Sequence, residues 1–572
     1  MKFSPIITGI LLTTSGAISA ASYEVEEVPL DDVANFHFGT SIDDTNTTIS
    51  TVRSRFNPEI DLSLFNVDNH PTLPDNVDPN NFTTSELTIV ANDLIGQTNL
   101  GTFFLQKLAG EVVYTSDGTD ATYLNGFDQE IDATNGFTFS LNSEATDSTN
   151  GTHFTGAMAG PFQTVPFTTE DGDDLTYVIN DFMLRGFVQV GQQVTPLVPE
   201  FSGAGGFSFA SAINDNLQVA GVQSVASSEN LDTLIGNCED PETRGDQPLE
   251  ACIFSLFNNN NFDVTFSTST AFLYLNDGNS FNEFFESEPS SLMDIRPTMW
   301  QVDSNGQVVS TQVYDLLFTP EEFDVRTYAR AMDINNNGTM VGFSTAPESQ
   351  RDEQLVAIAT VFENGETTRL FEVDDIVASY AMAINDDDIV VGFFPGIFND
   401  RIRNRMFVYD RNTQELTRPN GFFVSSSTHP RSVNNNGLVV GDAESDIFDV
   451  NTRQTSGFLY NVADESFVDL NTLIPCDSPY TIIGANDIND GDVIIADAQI
   501  RRPNRDIRGE VVTGDDAGDN DFVVSVKLTP TGNPPSECET DNSDFERQGA
   551  SFQVLWLLAL FFTAVIRLRR RR

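Results

Sequence analysis

Val433-Asn434-Asn435-Asn436-Gly437-Leu438-Val439-Val440-Gly441, followed by Gly457-Phe458-Leu459-Tyr460 and then Phe467-Val468-Asp469-Leu470, is the stretch from which the fold can be read. Asn and Gly tolerate a left-handed backbone and supply turn hydrogen bonds, so residues 434–437 read as a tight turn. The strand after it is apolar at consecutive positions instead of alternate ones. That pattern implies burial on both faces, as for a sheet sandwiched between two neighbours. The closing Gly441 leaves room for close backbone approach where sheets converge.

The frame recurs at Ile213-Asn214-Asp215-Asn216…Gly221, Ile334-Asn335-Asn336-Asn337-Gly338…Gly342, Ile384-Asn385-Asp386-Asp387…Gly392 and Ile488-Asn489-Asp490-Gly491…Ala496. Successive starts are 121, 50, 49 and 55 residues apart, and the wide gap has room for a degenerate repeat plus an insertion at 223–265. The Phe-Leu-Tyr strand recurs at Ala271-Phe272-Leu273-Tyr274 and Met406-Phe407-Val408-Tyr409, with further copies at Arg185-Gly186-Phe187-Val188 and Asp521-Phe522-Val523-Val524. Several short strands in each 50-residue unit fit a four-stranded blade, whereas solenoid repeats are usually shorter. The expected fold is all-β, a β-propeller of about six to eight four-stranded blades with a signal peptide and a C-terminal apolar helix. Residues 181–530 carry the propeller repeats and 531–548 a linker. Residues 22–180 form an irregular β region, read as degenerate blades or a small β domain. Within it the alternation over 23–28 suits a strand that closes the ring against the last blade.

The run Ile-Asn-x-x-Gly-x-Val-Val-Gly, with its Phe-Leu-Tyr strand and Asp-Leu, resembles the HAF repeat of extracellular bacterial proteins. The likeness is best over 433–470 and extends across roughly 187–528. It implies a propeller at the cell surface, in a family of unknown function that brings no catalytic residues with it.

Both ends read as addresses. Lys2, the apolar stretch 6–12 and the small residues Ser19, Ala20 and Ala21 describe a signal peptide over 1–21, cleaved after Ala20 or Ala21. At the other end, 549–572, Gly549-Ala550-Ser551 precedes an apolar run at 552–566 and a terminal arginine cluster. This tail is similar to the GlyGly-CTERM sorting signals, a resemblance that implies processing by a rhomboid-type protease. Otherwise it reads as a plain single-pass anchor, about 25 Å long as a helix, with its arginines cytoplasmic. The expected location is therefore exported, at the cell surface, in the outer membrane or extracellular, with membrane contact through the C-terminal helix until it is processed.

Acidic residues number 85 against 29 basic ones, for a net charge of -56. Such a surface repels phosphates and anionic lipid, which excludes nucleic acid as a partner and suits a salty medium. Lysine stands only at Lys2, Lys107 and Lys527. In an exported protein the four cysteines favour two disulfides, with Cys238–Cys252 and Cys476–Cys538 the pairing adopted among three.

Asp333, Asn335 and Asn337, and likewise Asp487, Asn489 and Asp492, match the first half of a calcium loop. Calcium is the one cofactor these turns suggest, yet the distal glutamate is missing, since Ser344 and Ala498 stand there. No nucleophile elbow, zinc-protease helix or phosphate loop is present. The reading favoured is a non-enzymatic binding module for an extracellular glycan or protein. Its rival is a secreted hydrolase or lyase acting on extracellular polymer, with carboxylates in the central channel. Acids that converge there with a basic or aromatic partner would favour the rival.

Overall fold

The computed structural model describes residues 22–74, 76–95, 106–132, 136–258, 293–319, 328–348, 351–373, 375–398, 401–446, 454–514 and 517–535. Among them are seven four-stranded antiparallel sheets. Each is one blade, and the first strand of every blade contacts the first strands of the next and previous blades in an unbroken ring. These innermost strands are Phe36–Ile42, Ser143–Thr149, Ser208–Ile213, Ala329–Ile334, Tyr380–Ile384, Thr428–Val433 and Thr481–Ile488, for blades 1 to 7. Tyr23–Glu27 supplies the fourth strand of blade 7 by pairing with Asp519–Pro530, so the two ends of the propeller sequence close the ring. Blades 1 and 2 are built from residues 36–196, so most of the irregular stretch 22–180 belongs to the same ring.

The consecutive apolar strands are buried on both faces. Val390, Val391, Val439, Val440, Ile494 and Ile495 have no exposure. Phe407 and Phe458 pack among them, each stabilising the fold by on the order of 2–3 kcal/mol through burial.

The Asn turn has one geometry around most of the ring. Three residues after the key Asn or Asp, the chain enters the left-handed region at Asn46, Leu217, Gly338, Asp388, Gly437 and Asp492. Every innermost strand also carries a β-bulge, with Thr40, Thr146, Ser211, Met332, Met382, Arg431 or Asn486 as the extra residue. In five blades a carbonyl of the bulged strand lies against the repeat glycine. A Cβ at Gly441 would lie 2.0 Å from the His429 carbonyl oxygen in its own blade, so the close approach is within a sheet and not between sheets.

Several expectations are corrected. The 121-residue gap contains blade 3 alone, because three helices, Glu229–Glu239, Pro241–Arg244 and Leu249–Asn258, are inserted between its second strand Gln218–Ser227 and its third strand Met293–Val302. That third strand is not Ala271-Phe272-Leu273-Tyr274, which lies outside the described residues. The expected disulfide between Cys238 and Cys252 is present, but it clips helices together where a loop was expected. Cys476 is also disulfide-bonded, and Cys538 lies outside the described residues.

The membrane expectation is corrected too. Among the described residues no helix is long and apolar enough to cross a membrane. The longest, Thr84–Ile95, has 12 residues, against about 20 needed to span a bilayer. The fold class is therefore a seven-bladed propeller with short helical insertions and no spanning helix among its described elements. The membrane contact, the rhomboid-type protease and the single-pass surface location all rested on such a helix and are withdrawn with it. Residues 1–21, Gly549-Ala550-Ser551 and the apolar run at 552–566 lie outside the described residues.

Candidate active site in the central channel

Side-chain-to-backbone bonds link the turns of neighbouring blades. Asn214, Asn335, Asn385, Asn434 and Asn489 each accept from two backbone N–H groups of their own turn. Each then donates through Nδ2 to the backbone carbonyl at the matching position of the next blade, at 2.8–3.1 Å. In blade 1 the position is Asp43, whose Oδ2 accepts from Gly151 of blade 2.

The residues of the two suspected calcium loops are taken up in this scaffold. Asp333 accepts from Ile384 N of blade 5 (2.8 Å) and Asp487 from Ile42 N of blade 1 (2.9 Å). Asn337 donates to Asp386 O, and Asp492 accepts from Asn434 and Asn436. Among the described residues no group of three or more His, Cys, Asp or Glu is arranged to hold a metal ion. Asp147, on blade 2, plays the same part as Asp333 and Asp487 by accepting from Ile213 N at 2.8 Å. These carboxylates, from blades 2, 4 and 7, stand close enough to act on one another electrostatically. Burial pushes all three above the usual carboxylate range, Asp147 well above and Asp333 to about 6, and carboxylate repulsion adds to the shift at Asp147 and Asp333. Ser41 Oγ lies 2.9 Å from Asp487 and 3.3 Å from Asp147, so one hydroxyl spans both.

Further along the wall, blades 6 and 7 depart from the repeat. Where blades 4 and 5 place Phe343 and Phe393, directly after the repeat glycine, blade 6 has Asp442 and blade 7 has Asp497. Arg431, the bulge residue of blade 6, binds Asp442 at 2.9 Å, and its guanidinium is partly exposed. His429 Nδ1 lies 3.1 Å from the same carboxylate, while its Nε2 faces Asn404 Nδ2 at 2.7 Å. The Phe393 ring packs edge-on against the imidazole at 5.5 Å. Although burial opposes it, the Arg431 and His429 charges and hydrogen bonds hold Asp442 well below the usual carboxylate range. Asp497 goes the other way. It accepts from Gly39 N at 2.9 Å, and burial, reinforced by Asp442, raises it to about 6 against the opposing pull of Asn486, Gly39 and Arg431.

None of His429, Arg431, Asp442 and Asp497 stood out in the sequence reading. The available signal was departure from the repeat: Thr428-His429-Pro430-Arg431 replaces Ser379-Tyr380-Ala381-Met382, and Asp replaces Phe after the small residue that ends the frame. A Ser–His–carboxylate set elsewhere is structural. His37 Nδ1 accepts from the Ser525 backbone N–H at 3.0 Å and its Nε2 faces Glu27 at 3.4 Å, all beneath the ring closure, with His37 fully buried.

A family model described as "Protein of unknown function (DUF3466)" matches residues 2–571. The chain belongs to the DUF3466 family. No curated protein matches the DUF3466 chain in sequence. Among solved structures it is similar to the β-propeller domain of the Trilobed protease from Pyrococcus furiosus, at 8% identity and a TM-score of 0.30 over 63% of this chain and 85% of that one. It is similar to the Pyrococcus horikoshii acylaminoacyl peptidase at 10% identity and a TM-score of 0.34, covering 83% of this chain and 50% of the other, so it spans about half of that enzyme. A puromycin hydrolase mutant matches at 9% identity and a TM-score of 0.33, over 85% and 62%. The blade count and closure rest on the strand pairing above and not on these likenesses.

Proposed function

We propose that this DUF3466 propeller is an acid–base hydrolase of a polar polymer, with glycosidic linkages the bond its carboxylates suit, acting at the channel wall of blades 6 and 7. One observation carries the reading. Asp442 and Asp497 belong to one electrostatic cluster, yet their surroundings push their proton affinities in opposite directions. Such divergence assigns an acid and a base. Cleavage of a glycosidic bond needs a protonated carboxyl to give its proton to the leaving oxygen and an ionised one to face the positive charge that develops. Asp497 is the proton donor, and Asp442, kept ionised by Arg431 and His429, is the anionic partner. Arg431 is placed to hold an oxygen of the substrate.

The test is release of reducing ends from a polysaccharide panel by the native chain and by Asp497→Asn. Loss of the proton donor lowers the rate about 100- to 10,000-fold. The native rate falls as pH rises through about 6, where Asp497 gives up its proton. Equal rates for the two proteins would overturn the assignment. A polymer retained but never cleaved would return the propeller to the binding-module reading.

A further inference from the structure

A second site stands apart from the channel, between the insertion that separates the second and third strands of blade 1 and the segments 129–141 and 161–162. A cavity of about 640 Å³ opens there. Lys107, only 8% exposed, lines it together with Leu141 at 1%. Among the described residues Lys107 makes no hydrogen bond and no ion pair. Burial pushes its ammonium below the ordinary lysine range, with no carboxylate close enough to counter the shift. A partly desolvated ammonium with no counter-charge in contact is a ready partner for an anion. A chain with three lysines in 572 residues has placed one in that position, facing open space.

The rim has the opposite sign. Glu59, Asp61 and Glu130 are exposed around the opening, and Gln106 holds the 59–61 loop in place through bonds of 2.6 and 2.8 Å. Leu62 and Leu64, both exposed, add an apolar side. A simple anion drawn to Lys107 would have to pass three carboxylates, which repel it. A ligand with a carboxylate at one end and an ammonium at the other satisfies both.

We infer that this cavity binds a small zwitterion, an apolar amino acid or short peptide, with its carboxylate on Lys107, its ammonium at the acidic rim and its side chain against Leu62 and Leu64. The test is isothermal titration of the full chain with Leu-Leu, with its C-terminal amide and with its N-acetyl form. Leu-Leu binds, and removing either charge weakens binding by about tenfold or more, the worth of one charge-assisted hydrogen bond. Lys107→Met removes binding of Leu-Leu. No heat with Leu-Leu overturns the inference, and so does equal affinity for the amide or unchanged binding by Lys107→Met. Should the variant fail to fold, the three ligands on the native chain decide the matter alone.

Discussion

Gly441 shows how strongly one residue can be constrained by the fold around it. A carbonyl oxygen of the bulged innermost strand lies against the repeat glycine in five blades, with a would-be Cβ at 2.0 Å in Gly441, 2.1 Å in Gly392, Gly221 and Gly156, and closer still in Gly342. No side chain fits at such a distance, and the atom in the way is backbone, which cannot rotate aside. Gly441→Ala is therefore expected to destabilise the protein by about 3 kcal/mol or more, read as a lower urea midpoint. Gly518→Ala, where nothing lies within 4 Å, leaves the midpoint unchanged. The smallness of position 441 was legible from recurrence. The carbonyl against it was not, because that approach is a property of paired strands and appears in neither strand alone.

At the scale of the element, the Asn turn does two jobs with one side chain. Asn434 Oδ1 accepts from Asn436 N and Leu438 N at 3.1 and 2.9 Å, which closes its own turn. Its Nδ2 donates to Asn489 O and to Asp492 Oδ1, both at 2.9 Å, which ties blade 6 to blade 7. Asn434→Asp keeps the acceptor, removes the donor and sets a buried carboxylate against two oxygens. A loss of about 2–4 kcal/mol is expected, measured by equilibrium unfolding at neutral pH. Protonating the new carboxyl restores a donor, so part of the loss is recovered at about pH 4. The turn was readable from composition. The bond to the next blade was not, since its partner is 55 residues away. The helices at 229–258 escaped notice for a different reason: their short amphipathic pattern was read as the loop that a Cys238–Cys252 bridge would close.

The whole molecule is held by its closure. Tyr23–Glu27 pairs along its length with Asp519–Pro530. Glu27 is gripped by Arg502 at 2.8 Å, Tyr480 at 3.0 Å and His37 at 3.4 Å. Attractive charge at the seam matters in a chain of net charge -56, in which long-range repulsion otherwise favours opening. A chain starting at residue 28 loses these strand bonds and the burial of Tyr23, and is expected to unfold at lower temperature and lower urea than one starting at residue 22. A synthetic peptide covering residues 22–30 restores the difference by adding back the edge strand. Failure of the peptide to bind, with no loss of stability on truncation, would show that the ring closes without it.

The sequence by itself determined the repeating blade, the tight turns and the two-faced burial of the strands, because each depends on residues within a few positions of one another. It also determined the acidic surface, which needs no geometry. Only the tertiary structure decided that there are seven blades, that residues 36–196 supply two of them, and that His429, Arg431, Asp442 and Asp497 share one wall. Those four come from innermost and second strands of two blades, brought together by strand register and ring closure. The opposed proton affinities of Asp442 and Asp497 arise from burial and from neighbouring groups, and no local pattern carries either.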